Sequence, residues 1–142
     1  MAYSPHGTDD LAKKSRSVMA YLKQEQSVGD PPQVMSSYIS LWIKNNLGKM
    51  PSGGFFDEET SLVPVPKSSL ISQDALWVPK EIAKALSNLG LGKFYPCLKR
   101  VKPIPKASYC KPSERPTAMD HFISVDSCFC PNQKRLSLSM ML

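Results

Sequence analysis

Two stretches of the sequence carry side chains that could hold a polyphosphate. Lys67-Ser68-Ser69 is small, polar and basic, and follows directly on the apolar run Ser61-Leu62-Val63-Pro64-Val65-Pro66. Residues 97–115 hold Lys99, Arg100, Lys102, Lys106, Lys111 and Arg115 against Glu114 alone. Residues 1–60, by contrast, hold six basic and seven acidic groups, so most of the chain's net +6 sits in that one segment. A local positive field of this kind suits a polyphosphate or a nucleic acid, and a solvated basic loop is the plainer reading. Tyr109 is the one aromatic side chain there, which gives base stacking little support.

Other chemistry finds less support. Cys97, Cys110, Cys128 and Cys130 are spaced C-x12-C-x17-C-x-C, without the C-x2-C knuckle of a zinc site, and reduced thiols are the expectation. Cys110 and His121 could form a nucleophile and base, but no third group to orient them is evident. No apolar run approaches the length that crosses a bilayer, and MAYSPHGTDD has no secretory pattern, so no membrane partner is expected and the cytoplasm is the default address.

The elements that must position these residues are short. With 142 residues, 42% of them apolar, the chain has material for one modest core. Thirteen prolines, mostly in the second half, argue for short elements joined by rigid turns rather than a helical bundle. Thr8 caps an expected amphipathic helix over residues 9–24, with Asp9 and Asp10 in its first turn. QEQSVGDPP reads as a linker. Pro32 then opens a helix over residues 32–47, with Met35, Tyr38, Ile39, Trp42 and Ile43 on its core face and Gly48 past its end. Residues 61–66 form a strand whose prolines take its end out of the sheet. Pro79 opens the clearest helix, with Ile82, Ala85, Leu86 and Leu89 on its apolar face and Gly90 as its stop. Strands at residues 95–102 and 121–125 follow, and the strand–helix–strand order implies an α/β domain with a partly parallel sheet.

The succession SLVPVPKSS, PKEIAKALSNLGLG and LKRVKPIPKASYCKPSERPTAMDHFISV resembles the type I phosphoribosyltransferases, nearest their competence-associated (ComF-like) branch. The likeness covers residues 60–126, leaving residues 1–59 as an N-terminal helical accessory region. It implies an incomplete phosphoribosyltransferase-like, Rossmann-like α/β domain with N-terminal helices. The chemistry it implies is displacement of pyrophosphate from phosphoribosyl pyrophosphate (PRPP), with Mg²⁺ as the customary ion, although no Mg²⁺ ligand can be named in this chain. By the same resemblance Lys67, Ser68 and Ser69 face the pyrophosphate, while Arg100, Lys102, Lys106 and Arg115 belong to a basic flap closing over it. Arg100 and Arg115 rank first, because a guanidinium grips phosphate through two donors.

The family's defining element is an apolar strand, an adjacent acid pair for the ribose hydroxyls and a Thr/Gly loop for the 5′-phosphate. No acid pair occurs after Asp126 and no glycine after Gly92. The final stretch, DSCFCPNQKRLSLSMML, invites a codon argument. Met140-Met141 read one nucleotide earlier contains GAT, an Asp codon. With TCG for Ser139, TTA for Leu136 and Leu138, TCT for Ser137 and a TT-initial Leu142, the displaced frame spells I-F-I-D-D-V, the missing strand and acid pair. The expectation is a frameshift near Asp126 or Ser127, with residues 127–142 as an out-of-frame tail and the chain inactive as an enzyme. The alternative is a non-catalytic basic module that contacts nucleic acid, or a protein partner through its two N-terminal helices.

Overall fold

The computed structural model describes residues 7–70 and 75–126, so the tail at 127–142, with Cys128 and Cys130, lies outside the described residues. The architecture is mixed α/β. Among the described residues three helices accompany three separate two-stranded sheets, two antiparallel and one parallel.

Helix α1 spans Asp10–Gln24. Its cap is Asp9 rather than Thr8: the Asp9 carboxylate accepts from the Ala12 N–H at 2.6 Å, where a full negative charge also meets the helix dipole. Glu25 ends the helix in the left-handed region, and Gln26 N–H closes onto the Tyr21 carbonyl at 3.1 Å. The expected linker is instead a small hairpin. Strands β1 (Ser27–Val28) and β2 (Gln33–Val34) pair antiparallel, joined by a turn in which Gly29 takes φ +83°. Because Pro31 and Pro32 are used in that turn, helix α2 begins at Met35, not at Pro32, and runs to Asn46.

The phase of α2 also departs from expectation. Met35 and Ile43 are buried, but so are Ser36 and Ser40, while Tyr38 and Trp42 are 41% and 54% exposed. Helix α3 (Val78–Asn88) is the main partner of α2. The two buried serines satisfy their hydroxyls locally: Ser36 Oγ donates to Glu25 Oε2 at 2.9 Å, and Ser40 Oγ to the Ser36 carbonyl at 2.8 Å.

The strand–helix–strand unit is present in miniature. Strand β3 (Ser61–Leu62), α3 and strand β4 (Lys93–Phe94) follow in order, with β3 and β4 parallel and Ser61 opposite Lys93. Ile43, Leu62, Ala83, Leu86 and Leu91 form the core, with Ile82 and Leu89 packed on its edge and Ala85 only half-buried. Gly90 stops α3 at φ +77° as expected. Gly92 is obligatory: at φ +144° a Cβ there would lie 2.7 Å from both Leu62 Cγ and the Thr60 carbonyl oxygen.

All three expected strands are shorter than read. The ladder of β3 stops at Leu62, because Pro64 and Pro66 have no N–H to donate. Of the strand expected over residues 95–102 only β5 (Leu98–Arg100) forms, and of the one over 121–125 only β6 (Ile123–Val125); the two pair antiparallel in a sheet separate from β3. The parallel partner of β3 is β4, which lies before residue 95, and Pro96 separates it from β5. Among the described residues no helix is long and apolar enough to cross a membrane.

Candidate anion-binding site

After β3 the chain runs without regular structure to Leu70, held by three hydrogen bonds to its carbonyls. The Trp77 indole N–H donates to Val65 O at 2.9 Å, Arg100 Nε donates to Lys67 O, and Ile104 N–H donates to Ser68 O at 2.9 Å. Two of these donors come from β5 and the residues just after it. The Lys67–Ser69 loop and the start of the basic segment, separated by some thirty residues in sequence, are therefore side by side.

Arg100 is the hinge of this arrangement. Its register opposite Ile123 of β6, with Val101 N–H donating to Phe122 O at 2.9 Å, fixes the backbone from which the guanidinium projects. The residue is only 8% exposed, and its Nη2 lies 3.4 Å from His121 Nδ1. Arginine has no acceptor, so that contact uses the unprotonated Nδ1 of the imidazole. Nη1 is buried with no hydrogen-bond partner. Arg100 was expected on a mobile flap; instead its side chain is buried and its donors are turned onto protein atoms.

The remaining basic residues are solvent-facing and divide into two groups. Lys102 and Arg115 line a cavity of about 250 Å³, together with Ile104, Glu114, Asp120 and Phe122. The Lys102 ammonium stands 5.6 Å from the Phe122 ring centroid. Lys106 lies outside this cavity lining, with its ammonium 5.5 Å from the ring of Tyr109. Asp120 is held by a capping box in which Thr117 N–H and Oγ both donate to its Oδ2 at 2.8 Å. Those hydrogen bonds, the backbone one foremost, keep its carboxyl below the ordinary carboxylate range. The Thr117-x-x-Asp120 spacing is a sequence signal that identifies this box; no sequence pattern identifies the contact of His121 with Arg100.

The donor set does not form a Mg²⁺ cage. Among the described residues no group of three or more His, Cys, Asp or Glu side chains is gathered, and Glu114 and Asp120 share their cavity with two cations. Cys110 Sγ donates to Lys106 O at 3.4 Å whereas His121 meets Arg100, so the pair does not combine as nucleophile and base. A second cavity, of about 350 Å³, lies between the end of α1, α2 and α3, but Glu25 and Glu81 outnumber Lys84 there, which disfavours an anion. No protein-family model, curated protein or solved structure matches this chain.

Proposed function

We propose that the chain is a phosphoribosyltransferase-like protein that binds the pyrophosphate end of PRPP, or pyrophosphate itself, without catalysing transfer. On this reading residues 60–126 are the front half of a Rossmann-like phosphoribosyltransferase domain. One observation carries the proposal: Lys67-Ser68-Ser69 and the strand bearing Arg100 meet through the Arg100–Lys67 hydrogen bond, as a loop and a cationic strand serving one anion must. Lys67, Ser68 and Ser69 supply the loop, Lys102 and Arg115 stand at the neighbouring cavity, and Lys106 adds to the field from outside it. The residues after Asp126 contain no acid pair and no glycine, so no group in this sequence is assigned to the ribose hydroxyls or the 5′-phosphate. Calorimetric titration with pyrophosphate and with PRPP, beside an assay for pyrophosphate release, tests the reading. Comparable saturable binding of both, without release, supports it; absence of binding, or turnover, refutes it.

A second reading, contact with nucleic acid, is favoured by Tyr109, which is 82% exposed beside the Lys106 ammonium and could stack on a base. It requires oligonucleotide binding that weakens steeply with salt and depends on Tyr109.

A further inference from the structure

The geometry points to Arg100 as a positioning residue that aims the Ser68 N–H group at the bound anion while never touching it, beside a Ser69 N–H set by Ile104. This rests on the pyrophosphate reading above and specifies how the loop is made competent.

Two peptide planes set the direction of these N–H groups. The only cis peptide among the described residues is Asp30–Pro31, so the Lys67–Ser68 and Ser68–Ser69 bonds are trans. In a trans peptide the C=O and N–H point in opposite directions. Arg100 Nε holds the Lys67 carbonyl, and Ile104 N–H holds the Ser68 carbonyl. The Ser68 N–H is therefore turned away from the Arg100 guanidinium, and the Ser69 N–H away from Ile104. Neither donates to a protein acceptor among the described residues. Ser69 is exposed and Ser68 half-buried, so both donors are within reach of a ligand. Backbone N–H groups without a protein acceptor, beside a lysine, are donors that an anion can take up.

Arg100 is fitted to hold this arrangement rather than to grip phosphate. Its Nε is spent on Lys67 O, Nη2 faces His121, and Nη1 is buried without a partner. A buried guanidinium without a carboxylate contributes little to folding, and an apolar residue of similar volume in its place is commonly neutral or stabilising. Its worth then lies in the orientation it imposes. The charge-assisted bond to Lys67 O makes that orientation firm.

The test uses the full chain, wild type and Arg100→Met, with pyrophosphate as the probe. Amide ¹H–¹⁵N spectra and thermal melts are recorded for both. In the wild type, pyrophosphate moves the Ser68 and Ser69 amide protons downfield. Arg100→Met keeps the wild-type melting temperature or exceeds it, shifts the Ser68 amide before any ligand is added, and weakens pyrophosphate binding about tenfold or more. Arg100→Lys, which keeps the charge but cannot reproduce the planar Nε geometry, restores little of the affinity. Wild-type affinity in Arg100→Met, or full rescue by Arg100→Lys, overturns the positioning role while leaving the pyrophosphate reading standing. Failure of the wild type to bind overturns both. Should Arg100→Met fail to fold, Ile104→Pro, which removes the donor to Ser68 O, takes its place: loss of the Ser69 amide response supports the peptide-plane argument and an unchanged response overturns it.

Discussion

Residues 35–94 and residues 97–126 stay in place by different means. In the first region Ile43, Leu62, Ala83, Leu86 and Leu91 are withdrawn from water, and Gly92 lets β4 lie against β3. In the second, the buried residues with described side chains are Cys97 and Arg100, while Val101, Met119, Phe122 and Val125 are exposed. That region is joined to the loop after β3 by hydrogen bonds to carbonyls, and internally by a short ladder and a capping box. Apolar burial stabilises in proportion to area and is indifferent to direction, whereas hydrogen bonds define direction and add little net energy. The packed half thus supplies stability, and the hydrogen-bonded half supplies geometry to the loop after β3.

Substitutions in the packed half have the largest expected effects. Leu86→Ala removes a side chain at the centre of the core and should cost about 2–5 kcal/mol in chemical denaturation, enough to unfold a domain of this size or nearly so. Gly92→Ala forces a Cβ against Leu62 and the Thr60 carbonyl at a positive φ; backbone strain alone is of order 1–3 kcal/mol, and the β3–β4 pairing should be lost. If either variant melts like the wild type, the contrast between the halves is wrong.

A smaller effect is expected at the loop after β3, where Trp77 of the packed half ties it down. Trp77→Phe keeps the buried ring but deletes the donor to Val65 O, a loss of about 1 kcal/mol. Its signature is a change of amide chemical shift at Lys67, Ser68 and Ser69, with the core amides unchanged. Shifts spread evenly over the core amides would mean that the loop is not a separately held segment.

The smallest effect belongs to Asp120. Its folded carboxyl titrates below the ordinary value of 3.8, so its contribution is fully present above that value and disappears as pH falls through the folded pKa. Thr117→Val removes the hydroxyl donor and leaves the N–H, so the Asp120 pKa should rise toward 3.8 in a carboxylate-detected NMR titration without reaching it. An unchanged pKa would show that the capping box does not hold this turn.

What could be read from the sequence follows the same division. Helices α1 and α3 and the β3–α3–β4 order were legible because apolar spacing, capping residues and Gly90 agree. The phase of α2 was not: Tyr38 and Trp42 look like core residues by hydrophobicity, whereas the hydrogen bonds that satisfy the buried Ser36 and Ser40 hydroxyls leave no periodic signal. The hairpin at 27–34 is too short for such a signal, and the two-residue β4 falls before the apolar stretch read as a strand. Lys67-Ser68-Ser69 and the basic stretch were visible as composition. The use of Arg100 as an internal donor was not, since it depends on a contact between residues 33 positions apart.

The most direct test of the central claim is a calorimetric titration of the intact chain with pyrophosphate, repeated on Lys67→Met and on Tyr109→Ala. The account predicts one saturable site in the wild type, weakened at least about tenfold by Lys67→Met, which removes a charge-assisted contact, and unaffected by Tyr109→Ala. Absence of saturable heat in the wild type, or binding that survives Lys67→Met and fails in Tyr109→Ala, would contradict it.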